Sequence, residues 1–391
     1  MFLLPSISMV SCKIDKEELP PQKEFMRIYH DDNYSASYYP VDIETTPDGG
    51  YLILASYLAN TAGNYAYWNV LVVKTDALGE VQWKVVADDP YRNPVPQLMA
   101  INNQYYFFCM DATTLGSYLM SIDVNAATVS LVEAFPQFTY PLAASATPDG
   151  GFLLQSYERF SRTTYLSKIN NATNVQWSRG FPVIEDTEAK IVYHQTKTGD
   201  MYPFFTGSTA DGSYYFMNGF ANYSLSLNFT DNAGNAKGVL NGFRYDGAVS
   251  SCMHLTGNTF ALTRYSFGDS YIYPAIELQP NNISHTDNLE GTIDHEIEQN
   301  GTFRSMVMTL GGKQLLVFAT TSKNKQTMLY FYDMATSKLV YTKYLGGSMP
   351  AILADIQQTP DGGIVVLTRT FVAGRFDRMV LFRLNGDEII K

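Results

Sequence analysis

The stretch Thr45-Thr46-Pro47-Asp48-Gly49-Gly50, followed by the β-forming run Tyr51-Leu52-Ile53-Leu54, constrains this chain most, because it comes back. Ala146-Thr147-Pro148-Asp149-Gly150-Gly151 and Gln358-Thr359-Pro360-Asp361-Gly362-Gly363 are close copies, each again followed by apolar residues. Proline presets φ for the second position of a turn, aspartate accepts local backbone N–H bonds, and glycine supplies positive φ. With β-formers on both sides, each copy predicts a tight turn between two antiparallel strands. The three prolines stand 101 and 212 residues apart, which fits two and four units of about 50 residues. The degenerate turns Asn102-Asn103-Gln104, Thr198-Gly199-Asp200, Thr256-Gly257-Asn258 and Leu310-Gly311-Gly312 fall where that period requires them, so seven units are predicted.

A second landmark repeats inside the unit. Lys74-Thr-Asp-Ala-Leu-Gly-Glu-Val-Gln-Trp83 matches Lys168-Ile-Asn-Asn-Ala-Thr-Asn-Val-Gln-Trp177, with weaker copies at Tyr332-Asp-Met-Ala-Thr-Ser-Lys-Leu-Val-Tyr341 and Arg383-Leu-Asn-Gly-Asp-Glu-Ile-Ile390. Each reads as a third strand, a polar turn and a fourth strand opening on a bulky residue. Four antiparallel strands per unit make one blade of a β-propeller. Met26-Arg-Ile-Tyr-His30-Asp31-Asp32 resembles Trp83-Lys-Val-Val-Ala-Asp88-Asp89, an outer strand, while the last unit stops as its own outer strand begins. The expectation is an all-β, seven-bladed propeller over residues 25–391, with residues 25–30 pairing with the last blade to close the ring and remove exposed sheet edges.

Residues 1–12 form a short apolar run ending in Cys12, too short to span a bilayer as a helix. This run resembles the tail of a bacterial lipoprotein signal peptide, which implies cleavage and acylation at Cys12. Residues 13–24 are charged and proline-containing and read as a tether. The Thr-Pro-Asp-Gly-Gly turn with the Gly-Glu-Val-Gln-Trp strand is similar to the repeats of secreted and lipid-anchored propellers of Gram-negative bacteria, and Tyr332–Tyr341 resembles quinoprotein-type repeats. The resemblance implies the cell envelope, anchored to the outer membrane and facing the periplasm or the exterior. It implies little about activity, since propellers host enzymes, receptors and scaffolds alike.

Composition narrows the function. A net charge of −11 without any basic run argues against nucleic acid. Tyr 28 and Phe 23 suit packed sheets. Cys109 falls in unit two and Cys252 in unit five, too far apart around the ring to bond, so free buried thiols are expected. None of the five histidines (His30, His194, His254, His285, His295) pairs at a metal-ligand spacing, and Asp294-His295-Glu296 lacks a second histidine. Asp231-Asn232-Ala233-Gly234-Asn235 looks like a calcium loop but has Gly242 where the bidentate glutamate belongs, so it reads as a turn. The repeated turn is similar to the Asp-box of sialidase propellers, itself structural. Quinoprotein enzymes commonly carry a vicinal cysteine pair, which this chain lacks. No metal, cofactor or catalytic constellation is expected.

What varies is the loop between the second and third strands of each unit. These loops share one face and carry Tyr65, Tyr67, Trp68, Arg159, Phe160, Arg162, Tyr265, Phe267, Phe371 and Arg375. Aromatic residues and arginine on one face are the composition of binding hot spots. The expected function is therefore a non-catalytic binding or scaffolding module for a protein or glycan. The alternative is a glycan hydrolase or lyase, which would need two carboxylates about 5–10 Å apart in the axial channel.

Overall fold

The computed structural model describes residues 24–29, 36–59, 66–299, 301–372 and 376–389. Cys12, the tether to residue 23, Tyr65 and Arg375 lie outside the described residues. Strands follow one another as antiparallel meanders. Ala36–Thr45, Tyr51–Ala59, Asn69–Thr75 and Val81–Val86 form the first; Met99–Ile101, Gln104–Asp111, Gly116–Asp123 and Thr128–Thr139 form the second, and the short strand Tyr91–Arg92 joins the two into one sheet. Pro141–Ala146, Phe152–Glu158, Thr163–Ile169 and Val175–Pro182 make the third. Phe205–Ser208, Tyr214–Ala221, Ser224–Asp231 and Ala236–Asn241 make the fourth, extended by the parallel strand Ile283–His285. Gly247–Thr256, Thr259–Ser266, Asp269–Glu277 and Thr292–Asp294 follow, then Arg304–Leu310, Lys313–Thr321, Thr327–Asp333 and Lys338–Leu345. In the last meander, Ile352–Gln358, Ile364–Val372 and Phe376–Leu384 take their fourth strand from the other end of the chain: Phe25 lies opposite Arg383 and Tyr29 opposite Met379.

The second strand of each meander explains the stacking. Side chains alternate between the two faces of a strand, and here both faces are dry. Leu52 and Leu54 pack on Phe107, Cys109 and Met120 of the next meander, whereas Ile53 and Ala55 pack on Val365, Leu367 and Leu381 of the last. Phe108 meets Phe152 and Leu154, Leu153 meets Tyr215 and Met217, and Phe216 meets Phe260 and Leu262. Ala261 meets Leu316 and Phe318, and Val317 meets Val366 and Val380. An uninterrupted apolar run is what a strand buried on both faces requires. The result is a β-propeller, with the first strand of each meander innermost.

The two sequence landmarks prove to be halves of one device. Thr46 Oγ1 donates to Asp48 Oδ1 at 2.5 Å, and Lys74 Nζ, from the end of the third strand, reaches Asp48 Oδ2 at 2.7 Å. Thr147, Asp149 and Lys168 repeat the pattern at 2.5 and 2.9 Å, and Thr359 and Asp361 repeat it with Arg383, which bonds both carboxylate oxygens at 2.6 and 2.7 Å. Burial pushes the Asp48 pKa upward, but the hydrogen bonds from Lys74 and Thr46 outweigh it and bring it down to about 2. Gly50 is obligatory for close approach: a Cβ there would sit 2.1 Å from the Thr75 carbonyl oxygen. The outer-strand tryptophans tie neighbours together, Trp83 Nε1 donating to Val124 O at 3.2 Å and Trp177 Nε1 to Asn232 O at 3.1 Å. Tyr29 repeats the link, donating to Gly79 O at 2.9 Å.

Three expectations are corrected. Thr198-Gly199-Asp200 is no hairpin turn; it follows the helix Glu188–Thr196, and the turn of the fourth meander is Thr209–Ser213, displaced along the chain by that helix. Its Gly212 N–H bonds Thr209 O at 2.9 Å, as Gly49 bonds Thr46. The chain from residue 25 is therefore not made of strands and turns alone. Finally, Gly386–Ile389 is a short helix and not the start of an outer strand, since Phe25–Tyr29 already occupies that edge.

Candidate functional site: the axial cavity

The innermost strands surround a cavity of about 850 Å³. A register shift interrupts these strands at matching positions, between Pro40 and Asp42, Pro141 and Ala143, Val249 and Ser251, and Leu353 and Asp355. A bulge re-aims the side chains that follow it, here along the cavity wall. Part of that wall is hydroxylic and internally bonded. Ser145 Oγ lies 2.7 Å from Thr206 Oγ1, and Ser250 and Ser251 both bond Thr263.

Toward the face of the repeated turns the wall is acidic. Asp42 and Glu44 come from the first meander, Asp355 and Gln357 from the last, and Arg304 from the one before it. Arg304 Nε lies 3.2 Å from Asp355 Oδ1, the Ile43 N–H donates to Asp355 Oδ2 at 3.3 Å, and Gln357 Nε2 donates to Glu44 Oε1 at 3.2 Å. Burial raises all three carboxyls, and the like charge of Asp355 raises Asp42 and Glu44 further. Asp42 stands well above the carboxylate range, Glu44 reaches about 8, and Asp355, restrained by Arg304, reaches about 6. The wall therefore keeps its carboxyls protonated to a higher pH than free carboxylates, Asp42 and Glu44 more than Asp355.

Toward the opposite, loop-bearing face the wall is cationic. Lys197, in the left-handed position that ends the helix, lies 5.0 Å from the Tyr39 ring centre and 5.2 Å from that of Trp68. Arg369 lies 4.6 Å from Tyr39 and 5.0 Å from Phe371, and pairs with Asp377 at 3.2 Å. His194 also faces the cavity. Burial first, then Lys197, pushes it down to about 3, and its Nδ1 accepts the Tyr202 N–H at 3.0 Å, so it is neutral.

The loop residues singled out in the sequence divide. Trp68 and Tyr265 are buried at 6% and 3% exposure, with the indole N–H spent on Thr196 O and the phenol on Tyr245 O, so neither has a face to offer a partner. Tyr67 is half-buried against the cluster around Tyr140. Phe160 is 84% exposed under the Arg159 guanidinium at 4.7 Å, Arg162 is exposed, Phe267 packs at a tilt on Phe243 with ring centres 5.2 Å apart, and Phe371 is exposed. Asp231 spends its carboxylate on the N–H groups of Ala233 and Asn235 and on Lys237, as a turn residue does. Asp294 and Glu296 accept the Tyr330 and Tyr344 hydroxyls. Cys109 and Cys252 are free thiols, both raised by burial.

The inner-strand residues escaped the sequence reading, although a signal existed. Asp42 stands four residues before Thr46 as Asp355 stands four before Thr359, so the two are repeat-equivalent. No protein-family model matches the chain, and no curated protein matches it by sequence. Among solved structures it is similar to hydrazine synthase of Kuenenia stuttgartiensis (14% identity, 89% of this chain and 96% of that chain, TM-score 0.49). It is also similar to the β-propeller domain of the Trilobed protease from Pyrococcus furiosus (11%, 90% and 98%, 0.49). An oligogalacturonate lyase in complex with manganese is a third (14%, 93% and 96%, 0.48).

Proposed function

We propose that this is a seven-bladed propeller closed by its N-terminal strand, anchored through Cys12 to the outer membrane, and that it binds a glycan or a protein-borne group in its axial cavity without chemistry. The cavity carries the reading: a space of about 850 Å³ with apolar walls and a few placed polar groups, one end acidic and the other cationic, is a site built for a polar ligand. Packing of Ile43 and Ile53 on Val365 and Leu381, with the Phe25–Tyr29 pairing, supports closure. Phe25 begins the outer strand beside Arg383, at the face of the repeated turns. A tether leaving there turns the opposite face, with Phe160 and Phe267, away from the membrane and toward the partner.

Crosslinking and pull-down from native membranes with Cys12 intact tests it. Capture should be lost in Asp355→Asn and kept in Phe160→Ala with Phe267→Ala. The reverse pattern would return the function to the loop rim.

One observation favours a second reading, the hydrolase or lyase. Arg304, 3.2 Å from Asp355, holds that carboxyl down, while burial and the charge of Asp355 raise Glu44 on the same wall, which is how an acid and a base are separated in one site. Cleavage of an envelope glycan, seen by mass spectrometry and abolished by Asp355→Asn, would establish it; intact glycans would dismiss it.

A further inference from the structure

Lys197 and Arg369 bring two cations onto one aromatic ring, and a single carboxylate, Asp377, serves Arg369. Among the described residues Lys197 has no carboxylate at ion-pair distance; its Nζ reaches only the Gln195 carbonyl oxygen, at 3.3 Å. Asp377 acts on Lys197 as well as on Arg369, so two cations share one carboxylate, and Lys197 is held in place from both ends: its backbone closes the helix, and its ammonium lies beside Trp68, whose indole is fixed by Thr196 O.

Two further groups at the same end of the cavity have unused capacity. Asn93 is 3% exposed; its Oδ1 accepts the Trp68 N–H at 2.9 Å, while its Nδ2 donors have no partner among the described residues. Gln195 is 5% exposed; its Nε2 donates to Pro141 O at 3.1 Å, and its Oε1 is unpartnered. Both line the cavity with Lys197 and Arg369. Buried polar groups are nearly always satisfied in a working state of a protein, so an idle donor and an idle acceptor beside two cations that share one carboxylate describe the missing partner.

We infer that the loop-side end of the cavity is a subsite for a hydroxylated carboxylate of sugar-acid size, its carboxylate against Lys197 and Arg369 and its hydroxyls on Asn93 and Gln195. The subsite rests on the cavity being the binding site. Burial and the charge of Arg369 outweigh the opposing charge of Asp377 and bring Lys197 down to about 7, and a bound carboxylate raises it again. Asp42 and Glu44 lie on the same strand as Tyr39; the bulge between Pro40 and Asp42 takes up one residue, so they stand two and four ladder positions on, or about 7 and 13 Å at the rise of a strand. The acid group is thus held apart from Asp42 and Glu44 at the other end, and the carboxylate beside it, Asp377, is already bonded to Arg369.

The test uses the full chain, wild type and Lys197→Gln, titrated by calorimetry with D-glucuronate, lactate, sulfate and D-glucose. Glucuronate should bind about tenfold or more tightly than glucose, and Lys197→Gln should lose at least that factor for glucuronate alone. Lactate binding as well as glucuronate would assign the site to hydroxy acids at large, within the stated chemistry. Equal binding of glucose and glucuronate, sulfate binding as tightly as the carboxylates, or an unaffected Lys197→Gln would overturn the inference. Bromide soaked into crystals should settle between Lys197 and Arg369; an empty site there with none of the four compounds bound would also overturn it. Capture of a neutral ligand that Asp355→Asn abolishes would overturn this subsite and leave the cavity as the binding site.

Discussion

Replacing Glu44 by glutamine should remove a pH dependence of stability that the native chain carries. Glu44 is raised from 4.5 to about 8, first by burial and then by Asp355. A folded pKa above the unfolded one means that the native state holds its proton while the unfolded state releases it. The stability this contributes is complete below about pH 4.5 and is lost as pH rises through 8. At about 1.4 kcal/mol per unit the shift has a ceiling of about 5 kcal/mol, and the residual solvent contact of Glu44 brings the expected loss to roughly 2–4 kcal/mol. Glutamine has the same shape and its carbonyl oxygen can still accept the Gln357 amide, which Glu44 receives at 3.2 Å. Urea midpoints of wild type and Glu44→Gln should therefore coincide near pH 5 and diverge by pH 8.5, with the variant the more stable. Asp355, raised to about 6, contributes a smaller fall as pH rises from about 4 through 6, and Asp42, raised well above the carboxylate range, adds its own fall, in both proteins. Parallel curves from pH 5 to 8.5, or a variant less stable at pH 8.5, would refute the protonated Glu44 and with it the acid–base separation in the cavity.

The repeated turn allows a paired test. Gly49→Ala adds a Cβ in ordinary contact with the Ala77 Cβ at 3.8 Å but at φ +81°, a cost of about 1 kcal/mol, whereas Gly50→Ala meets the Thr75 carbonyl oxygen and should cost about 3 kcal/mol in chemical denaturation. Lys168→Met leaves Asp149 without its ion partner, and with that aspartate half exposed the loss should be about 1–2 kcal/mol and absent in an Asp149→Asn background. Cys109 and Cys252, both raised by burial, should resist alkylation at pH 8 until the chain is unfolded, as read by peptide mass spectrometry; rapid native labelling of Cys252 would show that its side of the cavity is wetter than the packing implies.

How much of this was legible in the sequence depends on whether the interaction was local. The turns at Asp48, Asp149 and Asp361 are local: proline, aspartate and two glycines suffice to specify them. So was the outer-strand position of residues 25–29, because it resembles another outer strand. The lysine that anchors each turn sat in plain view as the first letter of the second landmark, but its partnership with the turn spans 26 residues for Lys74 and Asp48 and needed the hairpin to be folded. The helix Glu188–Thr196 was missed because it buries only Ile191, Gln195 and Thr196 and so leaves no apolar stripe. Trp68 and Tyr265 were taken for a binding surface because they sit beside loops; burial is decided by the neighbouring meander, which the local sequence does not contain.

The same logic explains why the chemistry gathers on the innermost strands. Second strands are pinned on both faces, and nearly every residue of Leu52–Ala55 or Leu315–Ala319 touches another meander, so a polar substitution there exposes a desolvated group to an apolar neighbour. First strands have one face toward the cavity, where a charged side chain meets other polar groups and not a packed sheet. Two repeat-equivalent positions can then hold Asp42 and Asp355 while a third, on Pro141–Ala146, holds Ala143, without any change in the stacking. Stability and specificity are thereby carried by different strands of the same repeat, and Asp355, 313 residues beyond Asp42 in the chain, comes to share one cavity wall with it only because the last meander packs on the first.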